Sequence, residues 1–126
     1  HSLFSDRPDW LIIEAELALR PGDAGAIRER MEELMARRRE KQPLEYPSAG
    51  STFKRPEGHF AAALIEGCGL KGLTVGGAQV SEKHAGFVIN IGSATCRDIL
   101  DLMDQVRERV FRETGVELEP EVKYVR

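Results

Sequence analysis

Apolar positions along the chain fall into two periods. Leu11-Ile12-Ile13 opens an apolar run, and beyond it Ala15, Leu17 and Leu19 share one face while Glu14 and Glu16 share the other. That period of two predicts a half-buried strand. Pro21-Gly22-Asp23 is a turn, with Asp23 placed to cap a helix over Ala24 to Glu40. Ile27, Met31, Leu34 and Met35 form the apolar stripe of that helix, and Gln42-Pro43 ends it. A second helical pattern spans Glu57 to Cys68, with Pro56 suited to its first turn and Phe60, Ala61, Leu64, Ile65 and Cys68 on the buried side. Leu70 to Val80 is glycine-rich and extended, and Phe87 to Ile91 reads as a central strand. Thr95 with Asp98 forms a capping box for a third helix, whose stripe is Ile99, Leu102, Met103, Val106 and Val110 and whose stop is Gly115. Val116 to Val125 predicts a last strand, with Val116, Leu118, Val122 and Tyr124 on one face and Glu117, Glu119, Glu121 and Lys123 on the other. Pro120 within it argues for an edge or a bulge. Together these elements predict an α+β domain, a mixed sheet covered by helices.

Composition narrows the function classes. The chain has 126 residues, 41% hydrophobic and 31% charged, which fits one globular core. Eighteen basic against 21 acidic residues, net −3, argues against a nucleic-acid binder but leaves room for a local anion site. Cys68 and Cys96 have no ligand-like spacing, which predicts two inert thiols in a reducing compartment and no metal site. No apolar run approaches the ~20 residues of a membrane span, and no signal peptide is visible. The opening HSLFSDRPDW reads like the interior of a larger protein.

The densest chemistry lies in Tyr46 to Pro56, YPSAGSTFKRP. Two prolines bracket a small segment in which Gly50 permits a bend and Ser51 offers a hydroxyl, followed by Lys54 and Arg55. Such a bend is able to present Ser51 to an anionic ligand; it also reads as a surface turn with two solvated cations. By periodicity the carboxylates of the last segment read as a solvated face. Gly76-Gly77 is not followed by a helix, so it is no phosphate loop; it marks a close approach by another backbone or a ligand. His59 receives no role.

Three separated blocks, PSAGSTFKRP, GLKGLTVGGAQVSEKHAGFVIN and LEPEV, resemble the C-terminal substrate-binding domain of the UDP-N-acetylenolpyruvoylglucosamine reductase family, over about Ile12 to Val125. The short connection from Pro56 to Phe60 is similar to the shorter branch of that family. The resemblance implies a cytoplasmic flavoenzyme of peptidoglycan precursor synthesis, in which NADPH reduces FAD and a hydride then reaches the enolpyruvyl double bond, giving UDP-N-acetylmuramate. It implies that Ser51 delivers the proton to the carbon next to the carboxylate. It implies that Glu121 supports the enol intermediate as a neutral acid, a role that needs desolvation or nearby negative charge. Glu119 shares parity with Glu121, and the family motif alone separates them. Lys41, Arg55, Lys71 and His84 are the implied substrate contacts, bringing positive charge to a diphosphate. The resemblance implies that FAD binds mainly to an N-terminal domain, which this sequence is expected to lack. Residues 1–20 are then expected to be the closing strand and linker of that domain, and 21–126 the substrate-binding domain. The isolated chain is expected to be inactive for want of a hydride source. The alternative is a non-catalytic nucleotide-sugar-binding module that kept the fold.

Overall fold

The structure, a computed structural model, describes Arg7 and residues 9–125. Among the described residues seven elements form: α1 Ala24–Lys41, β1 Ser48–Ser51, α2 Ala61–Gly67, β2 Thr74–Val75, β3 Ala78–Val80, β4 Phe87–Asn90 and α3 Cys96–Thr114. Two compact units result, divided within α1 between Glu32 and Glu33.

In the first unit the expected strand over Leu11 to Leu19 does not form. Its apolar side chains are open to solvent, Ile13 at 91% and Leu19 at 84%. A strand is made by ladder bonds to a neighbour, and among the described residues this run has no such neighbour. Alternation records a preference to be half buried; it does not supply the partner. Asp23 does cap α1, its Oδ1 accepting from Ala26 N at 2.7 Å. The helix runs one residue past the expected end, to Lys41, and buries none of its residues.

The second unit is built on a four-stranded sheet in the order β1-β4-β3-β2. All its pairings are antiparallel, a correction to the expected mixed sheet within the α+β class. The links explain this: β2 and β3 are joined by the two-residue turn Gly76-Gly77, too short for a parallel crossover. α3 lies against β2 and β3, and α2 packs on α3. Leu102, Val106 and Val110 of α3 are fully buried, against Val80, Ile65 and Leu118 among others.

Local chemistry fixes α3 at both ends. Thr95 Oγ1 accepts from Asp98 N at 3.1 Å, and Asp98 Oδ2 accepts from Thr95 N at 2.8 Å. Gly115 closes the helix at φ 73°, in the left-handed region. The hydrogen bonds from Thr95 hold the Asp98 carboxyl below the ordinary aspartate range, and one from the Gly77 backbone adds to them against a small opposing desolvation. Gly77 sits against the loop after β4: a Cβ there would lie 2.1 Å from Gly92 O and 2.5 Å from Ala94 N. The close approach expected of this glycine pair is therefore made by backbone at Gly77 and by the Asp98 carboxylate at Gly76.

Two further expectations are corrected. α2 starts at Ala61 rather than Glu57, because Gly58 takes φ 71° and a turn closes with His59 N donating to Pro56 O at 3.2 Å. Pro56 thus belongs to a turn, not to a helix. The last segment is not a strand over Val116 to Val125; its sheet contact is a single antiparallel bridge between Phe53 and Pro120. Lys54 N donates to Glu119 O at 2.8 Å and Glu121 N donates to Thr52 O at 2.9 Å, so Phe53 and Pro120 occupy the pair that exchanges no hydrogen bonds. Pro120 has no N–H to give, and here none is required. Leu118 anchors the segment from beneath, with its carbonyl accepting from Arg107 Nε at 3.0 Å.

Replacing Gly77 with Ala is expected to cost about 1–3 kcal/mol through backbone overlap. Replacing Gly67, which has open space at its Cβ and no positive φ, is expected to gain about 0.4–1 kcal/mol; urea unfolding of the two variants side by side checks the contrast. Asp98→Asn is expected to lower the melting temperature near neutral pH. Because folding depresses the Asp98 pKa, its contribution is present above about pH 4 and is lost as pH falls through the folded value. The two melting curves should therefore converge in acid.

Candidate functional site

The site grows from a flaw in β1. Ser48 pairs with Ile89 but Ser51 pairs with Phe87, so the register shifts within four residues. Gly50 absorbs the shift at φ 85°, with nothing within 4 Å of an added Cβ. The strand is Ser48–Ser51, and the chain turns inward just after it. Thr52 and Phe53 are buried, whereas Ser51 is exposed.

Ser51 faces an open groove of about 500 Å³ lined also by Arg38, Gln42, Leu44, Tyr46 and Phe87. Arg38 Nε donates to Gln42 Oε1 at 2.9 Å, which holds the guanidinium at the end of α1. Glu121 is joined to this region through the backbone, its N–H donating to the carbonyl of Thr52, next after Ser51. A second groove of about 420 Å³ takes in Lys54, Arg55, His59, Glu117 and Glu119. Here Lys54 is ion-paired with Glu119. That hydrogen bond holds the Lys54 ammonium above the ordinary lysine range; the charges of Glu119 and Glu121 add to it, and slight desolvation opposes it.

The pairing separates two carboxylates that share a parity. Glu119 is committed to Lys54, while Glu121 makes no ion pair among the described residues. The other expected contacts divide. Arg55 lies with its guanidinium 3.9 Å from the centre of the Phe60 ring and donates to His59 O at 3.3 Å. It is held in the second groove, across the buried Thr52-Phe53 step from Ser51. His84 is half buried; its Nδ1 accepts from Gly86 N at 3.1 Å and its ring meets Phe87 edge-on. With Nδ1 engaged as an acceptor, Nε2 is the ring nitrogen left to meet a ligand. Lys41 is exposed at the end of α1. Lys71 is paired with Glu66 at 2.6 Å in the loop before β2, the sheet edge opposite β1. The structure does not bring Lys71 to either groove. Arg38 does reach the Ser51 groove; the sequence shows it only as one of several cations in a solvated helix end.

Among the described residues no group of His, Cys, Asp and Glu could hold a metal ion, and no helix is long and apolar enough to cross a membrane. Cys68 and Cys96 are both free.

A family model for the C-terminal domain of UDP-N-acetylenolpyruvoylglucosamine reductase matches residues 42–125. The chain belongs to that family. Relatives named UDP-N-acetylenolpyruvoylglucosamine reductase include one from Clostridium novyi, 59% identical over 116 residues, which are 92% of this chain and 38% of the relative. Another, from Caldanaerobacter subterraneus subsp. tengcongensis, is 54% identical over 117 residues, 93% of this chain and 39% of the relative. The crystal structure of the Thermus caldophilus UDP-N-acetylenolpyruvylglucosamine reductase superposes with TM-score 0.62 at 39% identity, over 86% of this chain and 38% of that one. The chain thus spans well under half the length of the reductases it matches.

Removing Glu119 is expected to move Lys54 more than removing Glu121. In Glu119→Gln the Lys54 titration should fall back toward ordinary lysine, and in Glu121→Gln it should fall less, as read by NMR of the lysine ε-methylene. Since folding raises this pKa, the pair's contribution is complete below about pH 10 and is lost as pH rises through the folded value.

Proposed function

We propose that this chain is the substrate-binding and proton-delivering domain of a reductase that converts UDP-N-acetylenolpyruvoylglucosamine to UDP-N-acetylmuramate. The observation that carries the reading is the placement of Ser51 and Glu121 on the two sides of one backbone joint at Thr52. A proton donor and an enol-stabilising group must reach adjacent atoms of one small acid, and that joint fixes their two backbones relative to each other.

The reaction leaves negative charge on the carbon next to the substrate carboxylate, and the Ser51 hydroxyl donates its proton there. A serine hydroxyl is a weak acid, so aim matters more than acidity. The Gly50 bend supplies that aim. Glu121 stabilises the enol form by hydrogen bonding. Arg38 and Lys41, at the end of α1, attract the diphosphate, with Arg55 as a further cation and His84 donating from Nε2. Lys71 is engaged by Glu66, and its part is long-range attraction at most.

FAD, reduced by NADPH, would supply the hydride. Among the described residues the one glycine pair is a hairpin turn, Gly77 packed on backbone and Gly76 on the Asp98 carboxylate, with no cradle for a phosphate. The flavin is therefore assigned to an N-terminal domain of the parent protein, and residues 1–20 to the junction with it. The substrate's place in peptidoglycan precursor synthesis makes the cytoplasm the site of action.

The test is turnover of the enolpyruvyl nucleotide sugar by the full-length parent with NADPH. Ser51→Ala is expected to lower kcat by about 10²–10⁴, the usual worth of a positioned acid, while flavin reduction by NADPH keeps its rate. Unchanged turnover in that variant would remove Ser51 from the mechanism. Substrate binding without turnover by the parent would instead favour a non-catalytic nucleotide-sugar-binding module.

A further inference from the structure

Thr52 is where three segments meet. Its N–H donates to Gly86 O at 2.9 Å, its carbonyl accepts from Glu121 N at 2.9 Å, and its Oγ1 accepts from Val88 N at 3.0 Å. Its relative exposure is 4%, and with Ser81 it makes up the buried polar residues of the described chain. The first two bonds are open to almost any residue at this position. The third belongs to the side chain.

That third bond acts where the ladder is weakest. Between Ser48 and Ser51 the β1–β4 register slips, and Gly50 gives the bend little stiffness. A strand that slips by one residue sends each side chain to the opposite face. A bond from Val88 to a side chain beyond the slip fixes the register from outside the ladder. Threonine suits this: two heavy branches at Cβ restrict χ1, so the hydroxyl is held in place. Through its carbonyl the same residue holds Glu121.

The geometry points to Thr52 as a positioning residue: its hydroxyl, held by Val88 N–H, sets the aim of Ser51 and the spacing of Ser51 from Glu121. The inference rests on the proposed reaction for its functional half. Thr52 touches no substrate atom in this scheme; it acts through its two neighbours.

Thr52→Val and Thr52→Ser in the full-length parent test it. Thr52→Val keeps the shape and removes the acceptor. It is expected to lower kcat about ten- to hundredfold, the effect of misplacing a reacting group by up to an ångström, with KM little changed. Flavin reduction by NADPH should keep its rate, the solvent deuterium isotope effect on kcat should rise as proton delivery becomes limiting, and the Val88 amide should exchange faster. Thr52→Ser restores the acceptor and should recover most of the rate.

Wild-type kcat and isotope effect in Thr52→Val would overturn the inference while leaving the proposed reaction standing. So would a folded Thr52→Ser with the same loss as Thr52→Val, since packing of the methyl would then be the cause. If Thr52→Val does not fold, Thr52→Ser decides: a large loss of kcat in it counts against the hydroxyl, and a retained rate with a protected Val88 amide counts for it. Absence of turnover in the wild-type parent defeats the proposed reaction itself, and with it the functional half of this inference.

Discussion

The bridge between Phe53 and Pro120 joins the parts of the fold that carry chemistry. It is a single pair, yet two hydrogen bonds flank it, and together they tie the segment after β1 to the segment after α3. Proline is tolerated because the bridge places it where no N–H is needed. On either side of that pair the chain sets Glu119 against Lys54 and Glu121 beside Thr52. Beneath it, Leu118 and Phe53 enter the core formed by α3. The candidate site is thus suspended between a core that is well packed and a strand that is deliberately short.

The elements that the sequence made plain are those whose signals are local. α3 carries its cap, its stripe and its stop within its own residues, and all three appear in the structure. Asp23 likewise caps α1. The elements that were misread depend on something distant. Residues 11–19 alternate as a strand does, but alternation cannot name a neighbour. Val116 to Val125 alternates too, and Pro120 limits it to a bridge. The start of α2 moved because Gly58 adopts a backbone that only the folded turn reveals.

The site was legible to a different degree. Neither Ser51 nor Glu121 stands out by periodicity; likeness of three sequence blocks to a known family singled them out. A physical difference between Glu121 and Glu119 appears only with the Lys54–Glu119 ion pair in place. Lys71 had the right charge in the right block, yet Glu66 claims it. Arg38 was hidden in a run of basic residues, and only the direction of the helix end shows which of them meets the groove. Thr52 gave no signal at all. A threonine between a serine and a phenylalanine is unremarkable until its hydroxyl is seen under the backbone of β4.

The kink in β1 has a consequence for how the molecule meets other chains. β1 lies at an edge of the sheet, and an edge strand with a regular row of free backbone groups invites pairing with any passing strand. The slip at Gly50 breaks that row after a few residues. The irregularity that points a serine outward also makes the edge a poor template for aggregation. A substitution that straightened it would trade away both properties at once.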